Sequence, residues 1–147
     1  MITIRNAAER PTDMKALHDQ TVSHVNDVME GCKWFGDKLS TQSYSHDWTK
    51  RSYLKEFARD FLSGEDIKTL PWWEKHLRER HHLNDRVPED VNLIDVVEML
   101  VDCVMAGMAR NGSVHEVTVP DDVLRQAVGN TVTMLVEQIK VEDQADE

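Results

Sequence analysis

Apolar positions recur at three- and four-residue steps along most of the chain, a helical periodicity with few of the alternating runs that strands require. A first helix is expected after Pro11-Thr12-Asp13, where Thr12 or Asp13 can cap it. Leu17, Val22 (or Thr21), Val25, Val28, Met29 and Cys32 carry its apolar steps out towards Leu39. The polar run Ser40-Thr41-Gln42-Ser43 then predicts a turn, and Ser43 or Ser45 can cap a second helix, or a close pair, from His46 to Leu62. Ser63-Gly64-Glu65-Asp66 stops that element, and Pro71 suits the first turn of a third helix running through Trp72, Trp73 and His76 towards His81. Asn84 to Asp90 predicts a loop. Residues 92–110 form the cleanest amphipathic segment, apolar over so much of its girth that it is expected at the centre of the bundle. Asn111-Gly112 ends it, and the next loop includes the β-prone run Val117-Thr118-Val119. Pro120-Asp121-Asp122 opens a last helix with Val123, Leu124, Ala127, Val128, Val132, Leu135, Val136 and Ile139 on its buried side. The fold expected is all-α: a single-domain helical bundle of five or six helices over residues 1–141, with residues 142–147 as an acidic solvated tail.

Composition narrows the function classes. The 147 residues carry 17 Lys and Arg against 27 Asp and Glu, a net charge of −10. That sign works against general binding to nucleic-acid backbones or anionic membranes, both of which need a basic surface. No window approaches the ~18 uninterrupted apolar residues of a membrane span. The N-terminus MITIRNAAERPTD has no signal-like apolar stretch, so a cytoplasmic location is expected. Cys32 and Cys103 form no CxxC pair, and both read as small buried apolar residues.

Candidate chemistry gathers around histidine and aspartate. His46 and Asp47 are adjacent, His24 lies one helix earlier, and His76, His81 and His82 lie one helix later. Asp102 interrupts the apolar run Leu100-Val101 and Cys103-Val104, where an unpaired carboxylate would be costly to bury. Glu98 stands four residues before it, on the same helix face. Imidazole and carboxylate together suit Mn, Fe, Co, Ni or Zn, and inward-facing side chains of packed helices can converge on such an ion. The alternative for Asp102 is a buried salt bridge. His18 and His115 have no such neighbours and read as surface residues. Trp72-Trp73 reads as packing rather than a base-stacking platform, and with Trp34 and Phe35 it offers aromatic surface for a homodimer.

The order His24, His46-Asp47, Asp102, with Lys50 completing His-Asp-x-x-Lys, resembles the HD-domain superfamily of metal-dependent phosphohydrolases. The strings His24-Val25-x-x-Val28, His46-Asp47-x-Thr49-Lys50, Trp73-x-x-His76, His81-His82, Glu98-Met99-x-x-Asp102 and Asn130-Thr131-Val132-x-x-Leu135 are similar to those of a small family of uncharacterised phage and bacterial HD-like proteins. This resemblance covers residues 20–136. It implies a helical bundle in which His24, His46, Asp47 and Asp102 bind one divalent metal. It further implies a second metal on His76 and one of His81 or His82, with Asp47 bridging. His76 lies only five or six residues before that pair, so a helix end must intervene near Arg80, and a single metal is the primary expectation.

The function so implied is hydrolysis of a nucleotide or other small phosphate ester by metal-activated water. Asp47 would orient the water, Lys50 would meet the developing charge, and Arg51, Arg78 and Arg80 would contact substrate. Glu98 would hold a ligating histidine in its correct tautomer. The resemblance also admits a di-iron oxygenase. A helical module binding a host protein without catalysis is the reading from a different class, and a phage-encoded chain would work in the host cytoplasm.

Overall fold

The computed structural model describes residues 1–143. Strand β1 (Ile2–Arg5) is followed by helix α1 (Met14–Ser43), the short helices α2 (Trp48–Ser52) and α3 (Leu54–Phe61), and a single 3₁₀ turn over Ile67–Thr69. Helices α4 (Pro71–His76), α5 (Leu93–Asn111) and α6 (Asp121–Val136) come next, and strand β2 (Ile139–Glu142) closes the order. The fold is all-α with one two-stranded parallel ribbon, registered Ile2↔Ile139 through Arg5↔Glu142.

Local chemistry sets the boundaries. Asp13 caps α1 by accepting from the Ala16 amide at 2.8 Å. The polar run expected to turn the chain instead continues α1 to Ser43. Thr41 Oγ1 donates to Asp37 O and Ser43 Oγ to Ser40 O, so these side chains return to the helix's own carbonyls. The break expected near Arg80 comes earlier: α4 ends at His76, and residues 77–82 form tight turns.

At the start of α5, Asn92 and Asp95 form a reciprocal capping box, and Gly112 ends the helix at φ 65°, a conformation that suits glycine. The following loop folds back so closely that a Cβ on Gly107 would lie 2.8 Å from Ser113 O. Within that loop Val117 and Val119 form no strand and pack on the core half-buried. Glu142, assigned by the sequence to the tail, ends β2. Asp143 accepts from Asn6 Nδ2, and residues 144–147 of that tail lie outside the described residues.

The core joins Leu83 and Val91 of the loop before α5 to Val96 and Met99 of α5 and Val123 and Ala127 of α6. Thr131 ties the two helices by accepting from the Leu93 amide at 2.8 Å while donating to Ala127 O. A second, aromatic core lies under α2, α3 and α4. There buried Trp72 stacks on His76 with centroids 4.5 Å apart and meets Phe57 at 4.4 Å. Trp72 is therefore packing, as expected.

Three expectations about burial fail. On α6 only Val123, Ala127 and Thr131 are buried, whereas Leu124, Val128, Val132 and Val136, expected on its buried side, reach solvent, and Ile139 lies in β2 rather than in the helix. The first half of α5 is buried, but Leu100, Val101, Val104, Met105 and Met108 reach solvent, so α5 is central over only half its length. Cys32 is exposed on α1, whereas Cys103 is half-buried against the core.

Candidate metal centre

Four elements deliver the site. The end of α1 and the turn after it present Gln42, His46 and Asp47, and α2 adds Thr49 and Lys50. The end of α4 with the turns beyond it supplies His76, Glu79, His81 and His82, and α5 supplies Glu98 and Asp102.

Glu79 organises the first two elements. Its carboxylate accepts from the Asp47 amide at 2.7 Å and the Thr49 amide at 2.9 Å, taking amides at the start of α2 that have no partner within the helix. Asp47 is the one non-glycine residue with positive φ among those described, at φ 56° and ψ 26°. Aspartate tolerates this region better than most residues, and strained backbone of this kind clusters at functional sites.

Ligand-type atoms converge in three overlapping triads: His76, His81 and His82; His46, Asp47 and His81; and Asp47, His76 and Glu79. Within each, one atom per residue lies within 4.8 Å of the others, and Asp47, His76 and His81 each belong to two triads.

Hydrogen bonding sets the ring tautomers. His46 Nδ1 is 2.8 Å from Glu98 Oε1, and a carboxylate can only accept, so Nδ1 carries the proton. His46 Nε2 then faces Asp102 Oδ1 at 3.3 Å and Asp47 Oδ1 at 3.8 Å, an approach that a cation between them makes favourable. Thr49 Oγ1 donates to Glu79 Oε1 at 2.5 Å and so accepts from His76 Nδ1 at 2.7 Å. This leaves His76 Nε2 free of its proton, 2.7 Å from His82 Nε2. His81 Nε2 is buried without a hydrogen-bond partner, 3.8 Å from Asp102 Oδ2. Orphaned buried nitrogen is rare in folded proteins and fits a ligand position.

Charge follows the same layout. Burial would raise the Glu79 pKa, but hydrogen bonds from His76 and from the Thr49 hydroxyl and amide outweigh it and hold it at about 2. Burial, reinforced by the neighbouring imidazoles, pushes His82 down to about 3. His81 is lowered by burial and then by the nearby His46. Neutral imidazole is the form that ligates metal. For His46 burial opposes the charged ring, yet the Glu98 hydrogen bond and the Asp47 and Asp102 charges raise its pKa overall. Four imidazoles beside four carboxylates form a donor set suited to Mn, Fe, Co, Ni or Zn.

The structure thus brings together His46, Asp47, His76, His81, His82, Glu98 and Asp102, and Lys50 joins them with Nζ 2.5 Å from Asp47 Oδ2. It does not bring His24. Because α1 continues unbroken, His24 lies 18 residues, about 27 Å of helix, from Gln42 at the site. His24 instead lines an open groove between α1 and residues 4–13.

Arg80, expected to contact substrate, is bound on both edges by structure. Its Nε and Nη2 fork onto Asp95 at 2.8 and 2.9 Å, and Nη1 reaches Asp90. Arg51 reaches the Tyr44 and His46 carbonyls and so fastens the turn that carries the site. Arg78 and Arg80 both line a cavity of about 250 Å³ with Gln42, Ser45, Trp48, Glu79, His81 and Glu98, beside the triads. Asp102 has no Lys or Arg partner among the described residues; the salt-bridge alternative gives way to two imidazoles.

Glu79 was overlooked because Lys75, Arg78 and Arg80 make its stretch look solvated, although its three-residue spacing from His76 was a usable signal. Gln42 and Thr49 were also missed. Compared with known proteins, the chain matches no family model, no curated protein and no solved structure.

Proposed function

We propose that this protein is a metal-dependent phosphohydrolase acting on a nucleotide or other small phosphate ester. The observation that carries the reading is the overlap of the triads: Asp47 and His81 each serve two of them, within a shell that fixes the proton positions of His46 and His76. One divalent ion, or two sharing Asp47, would occupy that overlap. Such an ion, with one coordination position open, supplies an activated water and polarises a phosphoryl oxygen.

The chain's own residues supply the remainder. Lys50 holds positive charge beside Asp47, where a phosphoryl group gains negative charge. Arg78 lines the adjoining cavity of about 250 Å³, which is large enough to admit a phosphoryl group. The nucleotide class rests on the resemblance to HD-domain proteins and on nothing in the site.

Elemental analysis of the full chain, purified without chelator, tests this. The wild type should carry about one or two equivalents of transition metal and hydrolyse phosphate esters. Asp47→Ala and Asp47→Gly should lose both while keeping helical circular dichroism, glycine being the substitution that φ 56° accepts without strain. A metal-free wild type, or Asp47 variants that still hydrolyse ester, overturns the proposal.

A further inference from the structure

We propose that the chain works as a homodimer, with a second copy covering the apolar face of α1 and the outward faces of α5 and α6. Helix α1 runs for 30 residues without one buried residue. Val25, Val28, Cys32, Phe35 and Leu39 succeed one another at alternating steps of three and four, and Val22 and Met29 add a flanking row. A stripe this wide belongs to a helix that meets more than one neighbour. Most of it is bare within its own chain: Val28 is 49% exposed and Met29 63%, and only Phe35 and Leu39 towards its C-terminal end are half-covered.

The same chain carries matching unpartnered surface. The far half of α5 exposes Val101, Val104, Met105 and Met108, and α6 exposes Leu124, Val128, Val132 and Val136 at four-residue steps. A two-fold assembly requires that one molecule supply both sides of its interface, and three bare helix faces on one chain satisfy that requirement.

The area agrees. The chain exposes 10772 Å². A folded monomer of 17.0 kDa is expected to expose about 7,700 Å², leaving an excess of about 3,000 Å². Obligate homodimers bury roughly 2,000–5,000 Å² over both partners, or about 1,000–2,500 Å² from each chain, so the excess is large enough to supply such an interface. Contiguous apolar patches on monomers seldom exceed a few hundred Å².

Charge permits self-association despite the acidic whole. Helix α1 carries three lysines (Lys15, Lys33, Lys38) against four acids (Asp19, Asp27, Glu30, Asp37), a net charge of −1 out of the chain's −10. Two copies can approach along this face without strong repulsion.

The experiment is sedimentation velocity on the full chain at micromolar concentration, with alkylation of Cys32 followed by peptide mapping. The expected wild-type species has twice the 17.0 kDa chain mass, with Cys32 alkylated at least roughly tenfold more slowly than after dilution to single chains. Val28→Asp, and separately Val132→Asp on α6, should each halve the mass. Val132 lies off the Val123, Ala127 and Thr131 seam that holds α6 to its own chain, so that variant keeps its fold even if the α1 variant does not. A wild type that sediments as one chain, a dimer unaffected by Val132→Asp, or a dimer whose Cys32 reacts at the single-chain rate overturns the proposal.

Discussion

The Nδ1 nitrogen of His46 lies 2.8 Å from Oε1 of Glu98, and this contact decides which edge of the ring faces the other ligands. Glu98 can hold it because its second oxygen is taken by Gln42 Nε2 at 2.6 Å, which stops the carboxylate from rotating. A buried residue on α5 thus sets the protonation of a residue in the turn after α1.

Glu98→Gln should disturb this arrangement without changing shape. An amide offers one accepting oxygen where His46 and Gln42 need two, so one donor loses its partner. Metal affinity should fall about 10–100-fold, and the donor left unpartnered should cost about 1 kcal/mol of stability. Competition against a chromogenic chelator measures it, and unchanged affinity would remove Glu98 from the site's support.

Arg80→Met separates structure from substrate contact. Arg80 is the guanidinium partner of the wholly buried Asp95, which also closes the α5 capping box. Breaking a fully buried pair costs about 3–5 kcal/mol, and because Arg80 is partly solvated the expected loss here is about 2 kcal/mol. Urea denaturation should show that loss, with the metal content of the folded protein unchanged. A KM effect with no loss of stability would return Arg80 to the substrate.

Asp60→Asn tests a pH-dependent brace. The Asp60 carboxylate accepts from Arg59 Nε at 2.7 Å and from the Trp72 amide at 2.9 Å, at the first turn of α4. The Arg59 hydrogen bond, followed by the Trp72 amide, holds its pKa below the ordinary carboxylate value. A depressed pKa means that the charged form stabilises the fold above the ordinary range, and that this stabilisation is lost as pH falls through the lowered value. Wild type should therefore be more stable than Asp60→Asn at pH 7, and the gap should close below about pH 4. Thermal melts across that range check it; a constant gap would show that charge plays no part.

Much of this was legible in the sequence because it is local. The Asp13 cap, the Asn111-Gly112 stop and the apolar spacing of α5 act within one or two turns. His46, Asp47, Glu98 and Asp102 stood out as polar residues in informative settings. What the sequence hid is non-local. Glu79 is buried only because α2 turns its amides towards it from about 30 residues away. His24 stays remote because α1 runs on without a break through the polar residues 40–43 to Ser43. β1 and β2 escaped notice because each has four residues and its partner lies at the other end of the chain, with no hairpin signal between them.

That last pairing bears on the order in which the molecule assembles. Joining Ile2 to Ile139 closes nearly the whole chain into a ring, an entropic cost of about 4 kcal/mol if it were met from an open coil. The ribbon therefore forms after α5 and α6 have docked and shortened the gap, and it is the first contact to open again. Amide exchange should be fastest there and slow at Thr49 and Asp95. At the far end of α1, the histidine cluster keeps its shape while the ribbon comes and goes.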